Sequence, residues 1–220
     1  MSRPGFDAGA PVPGEVAGIV LAGGESSRMG RPKALLEVGG LTFLDRIRQT
    51  LEQAGVGPIV VVAGSAAAAI RGCGRLGDAL LVTNPKPELG QLSSLQVGVA
   101  ALPPRTRAVL ACLVDHPCVS PETYARLALA WRGHPGTIVV PRCSGKHGHP
   151  LLIDARFFPD LLALPPEATM RAVVHRNAGE RLVVEVDDPA IHWDVDTPDD
   201  FQRLLARMAA PPALSARPFP

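Results

Sequence analysis

Ile19 to Gly40 reads IVLAGGESSRMGRPKALLEVGG, and this stretch decides the fold. Ile19, Val20 and Leu21 form an aliphatic run that stops at glycine, which suits the end of a buried parallel strand better than a helix. The strand opens into a loop at Gly23 and Gly24, whose missing side chains let backbone N–H groups approach a base or a phosphate directly. Arg28 and Lys33 follow five residues apart, two permanent cations on the same loop. Together they suit a polyanion, while the plainer reading is a glycine-rich turn with two solvated cations. Neither G-x-x-x-x-G-K-[ST] nor G-x-G-x-x-G occurs, so the stretch is not a P-loop and not a dinucleotide fingerprint.

Working outward, Thr42 is placed to cap a helix on which Phe43, Leu44, Ile47 and Leu51 recur at three- and four-residue steps until Gly55. Residues 58–63 (PIVVVA) read as a second buried strand, 66–71 as a short helix and 79–83 as a third strand. Strands alternating with helices point to an α/β protein with a parallel sheet covered on both faces, in which ligands sit beyond the carboxyl ends of the strands. Asn84 follows the third strand, and Gly90-Gln91-Leu92-Ser93-Ser94-Leu95 leads into a helix through about Ala101. Ser93 or Ser94 suits a helix cap, and a helix start with small hydroxylated residues equally suits an anion or base edge.

Residues 107–114 (RAVLACLV) form the next buried strand and deliver Asp115 at its carboxyl end. A carboxylate there suits Mg2+, which prefers oxygen ligands shared with substrate phosphates, or simply begins the turn before Pro121. After Pro121 a helix carries Tyr124, Leu127, Leu129 and Trp131 as core residues, and 137–141 is a further strand. The loop 142–150 (RCSGKHGHP) holds His147 and His149 two apart, a spacing that without a third nearby ligand argues against zinc. A strand at 151–153, helices at about 154–164 and 167–177 and a strand at 181–186 complete the alternation. Thr197 as cap, Pro198 at the first helical position and Asp199 and Asp200 in the first turn make a strong helix start. Asp194 and Asp196 precede the cap and need another explanation.

The bulk composition agrees with one such domain. Of 220 residues 46% are hydrophobic, enough for a substantial core, and the net charge of +1 gives no field that favours nucleic acid or an acidic membrane. Cys73, Cys112, Cys118 and Cys143 form no C-x-x-C pair, so buried thiols in a reducing compartment are expected. No apolar run reaches the roughly 18–20 residues that cross a bilayer. A soluble, cytoplasmic protein is expected, with a loose tail over residues 1–15, a domain over 16–208 and a disordered Pro/Ala-rich tail over 209–220.

At the motifs quoted above the sequence resembles the MobA-like nucleotidyltransferases, which include the enzymes that join GMP or CMP to molybdopterin. Leu21-Ala22-Gly23-Gly24, Arg28-Met29-Gly30 and Lys33 fit the family's first signature position by position. Asn84-Pro85, Gly90, Ser94-Leu95 and Gly98 match its second, Asp115-His116-Pro117 its third, and the run from Asp194 to Asp200 its last. Gly148-His149-Pro150 matches the cytidylyltransferase branch. PPEATMRAVVHRN at 165–177 stands where that branch carries Gly-Asp-x-Gly-Ala-Arg, a departure that bears on the acceptor; Arg171 there reads as an acceptor-phosphate ligand or a solvated helix residue.

The resemblance, which spans about Val16 to Arg207, implies a single Rossmann-like domain of the nucleotide-diphospho-sugar transferase type. It implies a nucleoside triphosphate on Leu21, Ala22, Gly23 and Gly24, with Arg28 and Lys33 on its phosphates and Asn84 and Ser94 on its ribose or base. Mg2+ would be held by Asp115 and by Asp196, with Asp194 as second choice. Gly148, His149 and Pro150 would face a phosphate-bearing acceptor, and Arg28, Lys33 and Asp115 would carry catalysis. A Gly-Gly pair at 23–24 leans to GTP, whereas Ser94-Leu95-x-x-Gly98 and Gly148-His149-Pro150 lean to CTP, which is favoured, with a molybdopterin-type acceptor. A sugar 1-phosphate acceptor, or a non-catalytic module that hands a cofactor to a receiving enzyme, are the alternatives.

Overall fold

A computed structural model describes residues 14–24, 29–165 and 167–209. Strand β1 (Val16–Ala22) is buried along its whole length. A single 3-10 turn at Lys33–Leu35 leads into a small antiparallel hairpin, β2 (Glu37–Val38) and β3 (Leu41–Thr42). Helix α1 (Phe43–Gln53) starts at Thr42, whose hydroxyl accepts from Asp45 N at 3.0 Å while the Asp45 carboxylate accepts from Thr42 N at 3.3 Å. This reciprocal cap satisfies two amides that a helix start otherwise leaves orphaned. Strand β4 (Ile59–Ala63), helix α2 (Ala67–Gly72), strand β5 (Leu80–Thr83), helix α3 (Gln91–Ala100) and strand β6 (Ala108–Leu113) follow.

The second half comprises α4 (Pro121–Gly133), β7 (Ile138–Cys143), β8 (Lys146–His147), β9 (Leu151–Asp154), α5 (Phe158–Ala163), α6 (Met170–Arg176), β10 (Arg181–Glu185) and α7 (Pro198–Ala209). The main sheet runs β10-β7-β9-β6-β1-β4-β5, with β8 paired to β7. All its long pairings are parallel except those of β9, which lies antiparallel between β6 and β7.

Burial along β1 alternates between the two faces of the sheet. Val16, Val20 and Ala22 join a core formed with α1, α4 and α7, to which Phe43, Ile47, Tyr124, Trp131 and Leu204 contribute. Ala17, Ile19 and Leu21 face the core built from α3, α5 and α6, where Leu92, Leu95, Leu161 and Val173 pack. Because both faces are covered, the central strands are aliphatic throughout, as the sequence indicates.

Three details differ from the expectations. Leu129 is 48% exposed, because Tyr124, Leu127, Ala128 and Trp131 define the inner face of α4 and position 129 falls outside it. The segment after β9 begins as a 3-10 turn, Ala155–Phe157, and α5 covers only Phe158–Ala163. Asp154 explains the turn: its carboxylate accepts from Arg156 N at 2.9 Å, Gly136 N at 2.7 Å and the Trp131 indole at 2.7 Å, and this side-chain bonding diverts the backbone from a regular helix start. Helix α6 starts at Met170 rather than 167, where the Thr169 hydroxyl accepts from Ala172 N.

All four cysteines are free thiols, with Cys112 and Cys143 buried. No helix among the described residues is long and apolar enough to cross a membrane. The terminal tails expected over 1–15 and 209–220 lie almost wholly outside the described residues.

Candidate active site

The carboxyl ends of β1 and β6 lie side by side, and Val114 N donates to Leu21 O at 3.2 Å just past both strands. Beyond them opens a cleft of about 310 Å3, lined by Leu21, Ala22, Gly23, Gly24, Pro32, Lys33, Ala34, Pro87, Gly90, Gln91, Ser94, Leu113, Val114, Asp115 and Asp196. The glycine loop and the start of α3 thus face the tip of β6, as expected for ligands at the strand ends of an open α/β sheet.

One charge cluster sits in this cleft. Lys33 Nζ lies 3.3 Å from Asp115 Oδ2 and 2.5 Å from Asp196 Oδ1, so one ammonium bridges carboxylates from β6 and from the segment before α7. The main chain fixes this meeting. Val195 N donates to Asp115 O at 3.0 Å, and the Thr197–Asp200 cap, with Asp200 accepting from Thr197 N at 2.9 Å, anchors the same segment to α7. Asp194 is exposed and does not line the cleft, though it lies near enough to His116 to act on its charge. Arg28 and the side chain of Arg171 lie outside what the structure describes.

The carboxylate pair fits a divalent cation. Asp115 Oδ1 is buried with no hydrogen-bond partner among the described residues, an oxygen donor with unspent capacity. No cluster of three or more His, Cys, Asp or Glu side chains occurs among them, so the remaining ligands would come from phosphate oxygens and water, the usual habit of Mg2+.

Asn84 stands behind the cleft wall rather than in it. Its amide donates to Ser93 Oγ at 2.9 Å and Ser94 Oγ at 3.0 Å, and its carbonyl accepts from Lys86 N at 2.9 Å. The cap of α3 is therefore not a serine. It is Gly90, at a φ of 97° that side-chain-bearing residues rarely adopt, and both serines turn from the helix start towards Asn84. Ser94 still reaches the cleft. Asn84→Ala leaves two hydroxyls and a backbone N–H without their partner, at a cost of roughly 1–3 kcal/mol. The expected result is a lower Tm together with a raised KM for nucleotide; unchanged KM would confine Asn84 to stability.

The Gly148-His149-Pro150 loop lies outside this cleft lining. Gly148 N donates to Pro141 O and His149 N to Ile191 O, and the His149 ring packs against that of His116, centroids 5.4 Å apart. His116, the middle residue of the Asp115-His116-Pro117 motif and one to which no role was given, thus joins this loop to Asp115. Burial, with the neighbouring His116, pushes His149 down to about 4, against a smaller pull from Asp115. Burial likewise lowers His116. An unfolded His takes up its proton near pH 6.5. Below that pH the unfolded chain binds protons the folded one refuses, so the stability these rings contribute is intact above about 6.5 and is lost as pH falls towards about 4. Tm should fall less steeply over that window in His149→Gln than in the wild type, and parallel curves would clear His149.

Pro32, Ala34, Pro87 and Gln91 also line the cleft without having been foreseen. Apart from the neighbouring motif residues, the sequence carries no signal that marks them.

The fold is shared with a solved nucleotidyl transferase from Methanothermobacter, 23% identical at a TM-score of 0.74. The chain belongs to the MobA-like NTP transferase family, the model of whose domain matches residues 18–183. A molybdenum cofactor guanylyltransferase of Xanthomonas euvesicatoria is 30% identical over 196 residues, 86% of this chain and 93% of that protein. Other guanylyltransferases match over less of their length, 64% for that of Mesorhizobium japonicum. The molybdenum cofactor cytidylyltransferase of Escherichia coli is 26% identical over 185 residues, 83% of this chain and 92% of that protein. Among solved structures, Rv0371c from Mycobacterium tuberculosis has a TM-score of 0.72 at 32% identity, covering 87% of this chain and 98% of that one. A second structure of Rv0371c, in complex with manganese, has a TM-score of 0.68 at 30% identity with the same coverage.

Proposed function

We propose that the protein transfers a nucleoside monophosphate from a triphosphate to the phosphate of a molybdopterin-type acceptor and releases pyrophosphate. The observation that carries this reading is the meeting of Lys33, Asp115 and Asp196 in a cleft walled by the glycine loop and the start of α3. Relatives named for guanylyl and for cytidylyl transfer to molybdenum cofactor support the reaction class and the acceptor.

In this reaction an acceptor phosphate oxygen attacks the α-phosphorus and the bond to the pyrophosphate leaving group breaks. The attacking phosphate is already anionic at neutral pH, so no general base is needed; the protein must align two polyanions and offset their repulsion. Backbone N–H groups of Gly23 and Gly24 and the amino end of α3 receive the nucleotide. Lys33, joined by Arg28 on the same loop, neutralises its phosphates. A divalent cation, for which Mg2+ is the oxygen-seeking choice, supplies further charge neutralisation when held by Asp115 and Asp196. The His116–His149 contact ties the Gly148-His149-Pro150 loop to the residue after Asp115, which supports an acceptor-facing role for that loop.

The test is pyrophosphate release with each of the four triphosphates and Mg2+ or Mn2+, with and without molybdopterin cofactor. Release with GTP or CTP that depends on the acceptor establishes the reaction and its base. Release only with sugar phosphates moves the acceptor class, and nucleotide binding without release under every condition would leave a binding module instead.

A further inference from the structure

The Lys33 bridge ties together the two carboxylates to which the proposed function gives the metal, through the group to which it gives the phosphates. We propose that Lys33 is a placeholder cation: its ammonium holds Asp115 and Asp196 in position before substrates bind, and it is handed over to the triphosphate when a divalent cation takes the carboxylates. The proposal rests on the nucleotidyltransferase reading of this cleft.

Three features carry it. The first is charge. One ammonium spans two carboxylates, so two of the oxygens that a divalent cation would use are already engaged by Lys33. A divalent cation entering alone would have to displace Lys33 and then sit beside a released like charge in a half-buried cleft, where screening by water is weakened. A triphosphate removes that conflict by giving the released ammonium its own anion.

The second is Asp115 Oδ1, buried and unpartnered while Oδ2 meets Lys33. The carboxylate is thus only half used by the lysine, and its other oxygen is one that an oxygen-seeking cation satisfies. The third is mechanical. The turn that bears Lys33 is closed by Leu35 N on Pro32 O and Leu36 N on Lys33 O, each at 3.0 Å, and Asp115 and Val195 are joined through their backbones. With the backbones on both sides tied down, the exchange is carried by the flexible four-carbon lysine stem. Metal and nucleotide should consequently bind with positive coupling, each raising the affinity for the other by the same factor.

The experiment is a titration of Mn2+, followed by electron paramagnetic resonance of the free ion, into wild type, Lys33→Met and Lys146→Met. Each is measured alone and with the α,β-methylene analogues of GTP and CTP. Lys146 is exposed on β8, and its replacement removes the same charge away from the carboxylates. Wild type is expected to bind Mn2+ about tenfold tighter with an analogue than without. Lys33→Met should bind Mn2+ alone about tenfold tighter than wild type and lose most of the nucleotide coupling, while Lys146→Met behaves as wild type. Equal Mn2+ affinity of Lys33→Met and wild type without nucleotide overturns the placeholder, and so does an equal gain in Lys146→Met.

Should Lys33→Met fail to fold, the wild type decides. The chain has three lysines, Lys33, Lys86 and Lys146, so amine labelling mapped by mass spectrometry reports on Lys33 directly. Saturating Mn2+ alone should raise Lys33 labelling and the analogue should suppress it again, whereas labelling unaffected by Mn2+ overturns the exchange. Neither readout needs turnover. Failure of the transferase reaction with these couplings intact would therefore reject the proposed function and not the exchange.

Discussion

Asp115→Asn is expected to lower kcat by about 100- to 1000-fold, the scale of losing one preorganised electrostatic group at a reacting centre. The substitution preserves shape and removes charge. It takes away one of the two carboxylates that face Lys33 and weakens the oxygen pair that would hold a divalent cation. The backbone of Asp115 continues to accept from Val195 N, so the segment that brings in Asp196 remains docked. Tm should change little, because the ion pair is partly solvated and such pairs contribute about 1 kcal/mol or less. Pyrophosphate release under saturating triphosphate, acceptor and metal reads the first number, and thermal unfolding reads the second. Wild-type turnover in Asp115→Asn would remove the residue from the mechanism, and a Tm collapse would recast it as structural.

Gly148→Ala is expected to lower stability by roughly 2–3 kcal/mol, in the range of overpacking a filled interior. A Cβ at this position would lie 2.4 Å from the carbonyl oxygen of Ile191 and 2.7 Å from its Cγ1. The first of these atoms belongs to the main chain, so no rotamer change relieves the contact. The same carbonyl accepts from His149 N, hence pushing it away also loosens the loop beside His116. A Tm drop of about 5–10 °C follows for a domain of this size. The accompanying kinetic change should be a raised KM for the acceptor with the nucleotide KM preserved, since the loop does not line the nucleotide cleft. Unaltered Tm would mean that the 189–192 turn yields without cost.

Local chemistry was legible in the sequence wherever a short pattern has one physical solution. An aliphatic run halted by Gly23-Gly24 is a strand feeding a loop, and Thr42 and Thr197 read as helix caps, to which the structure adds the reciprocal bonds from Asp45 and Asp200. The direction of β9 was not legible, since side chains alternate along a strand whichever way it runs. Nor was the cap of α3: Ser93 and Ser94 compete for that role on composition, and only the positive φ of Gly90 and the buried amide of Asn84 decide it. Within the site, the motif residues could be read one by one, but not that Lys33 meets carboxylates 82 and 163 positions away. That meeting depends on β6 lying beside β1 and on Val195 docking to Asp115, which are properties of the folded sheet.

The strand order has a consequence for how the molecule is made. Strands β5, β4, β1 and β6 lie next to one another and are all encoded before residue 114. A nascent chain can pair them, with the glycine loop at their ends, while the ribosome is still adding the later strands, and domains do assemble from the amino end during synthesis. Asp196 arrives only after β10, the outermost strand on the opposite edge. A polypeptide that stops before residue 196 can therefore hold the half-sheet and Asp115 but not both carboxylates, and the pair is completed only once the far edge of the sheet has been made.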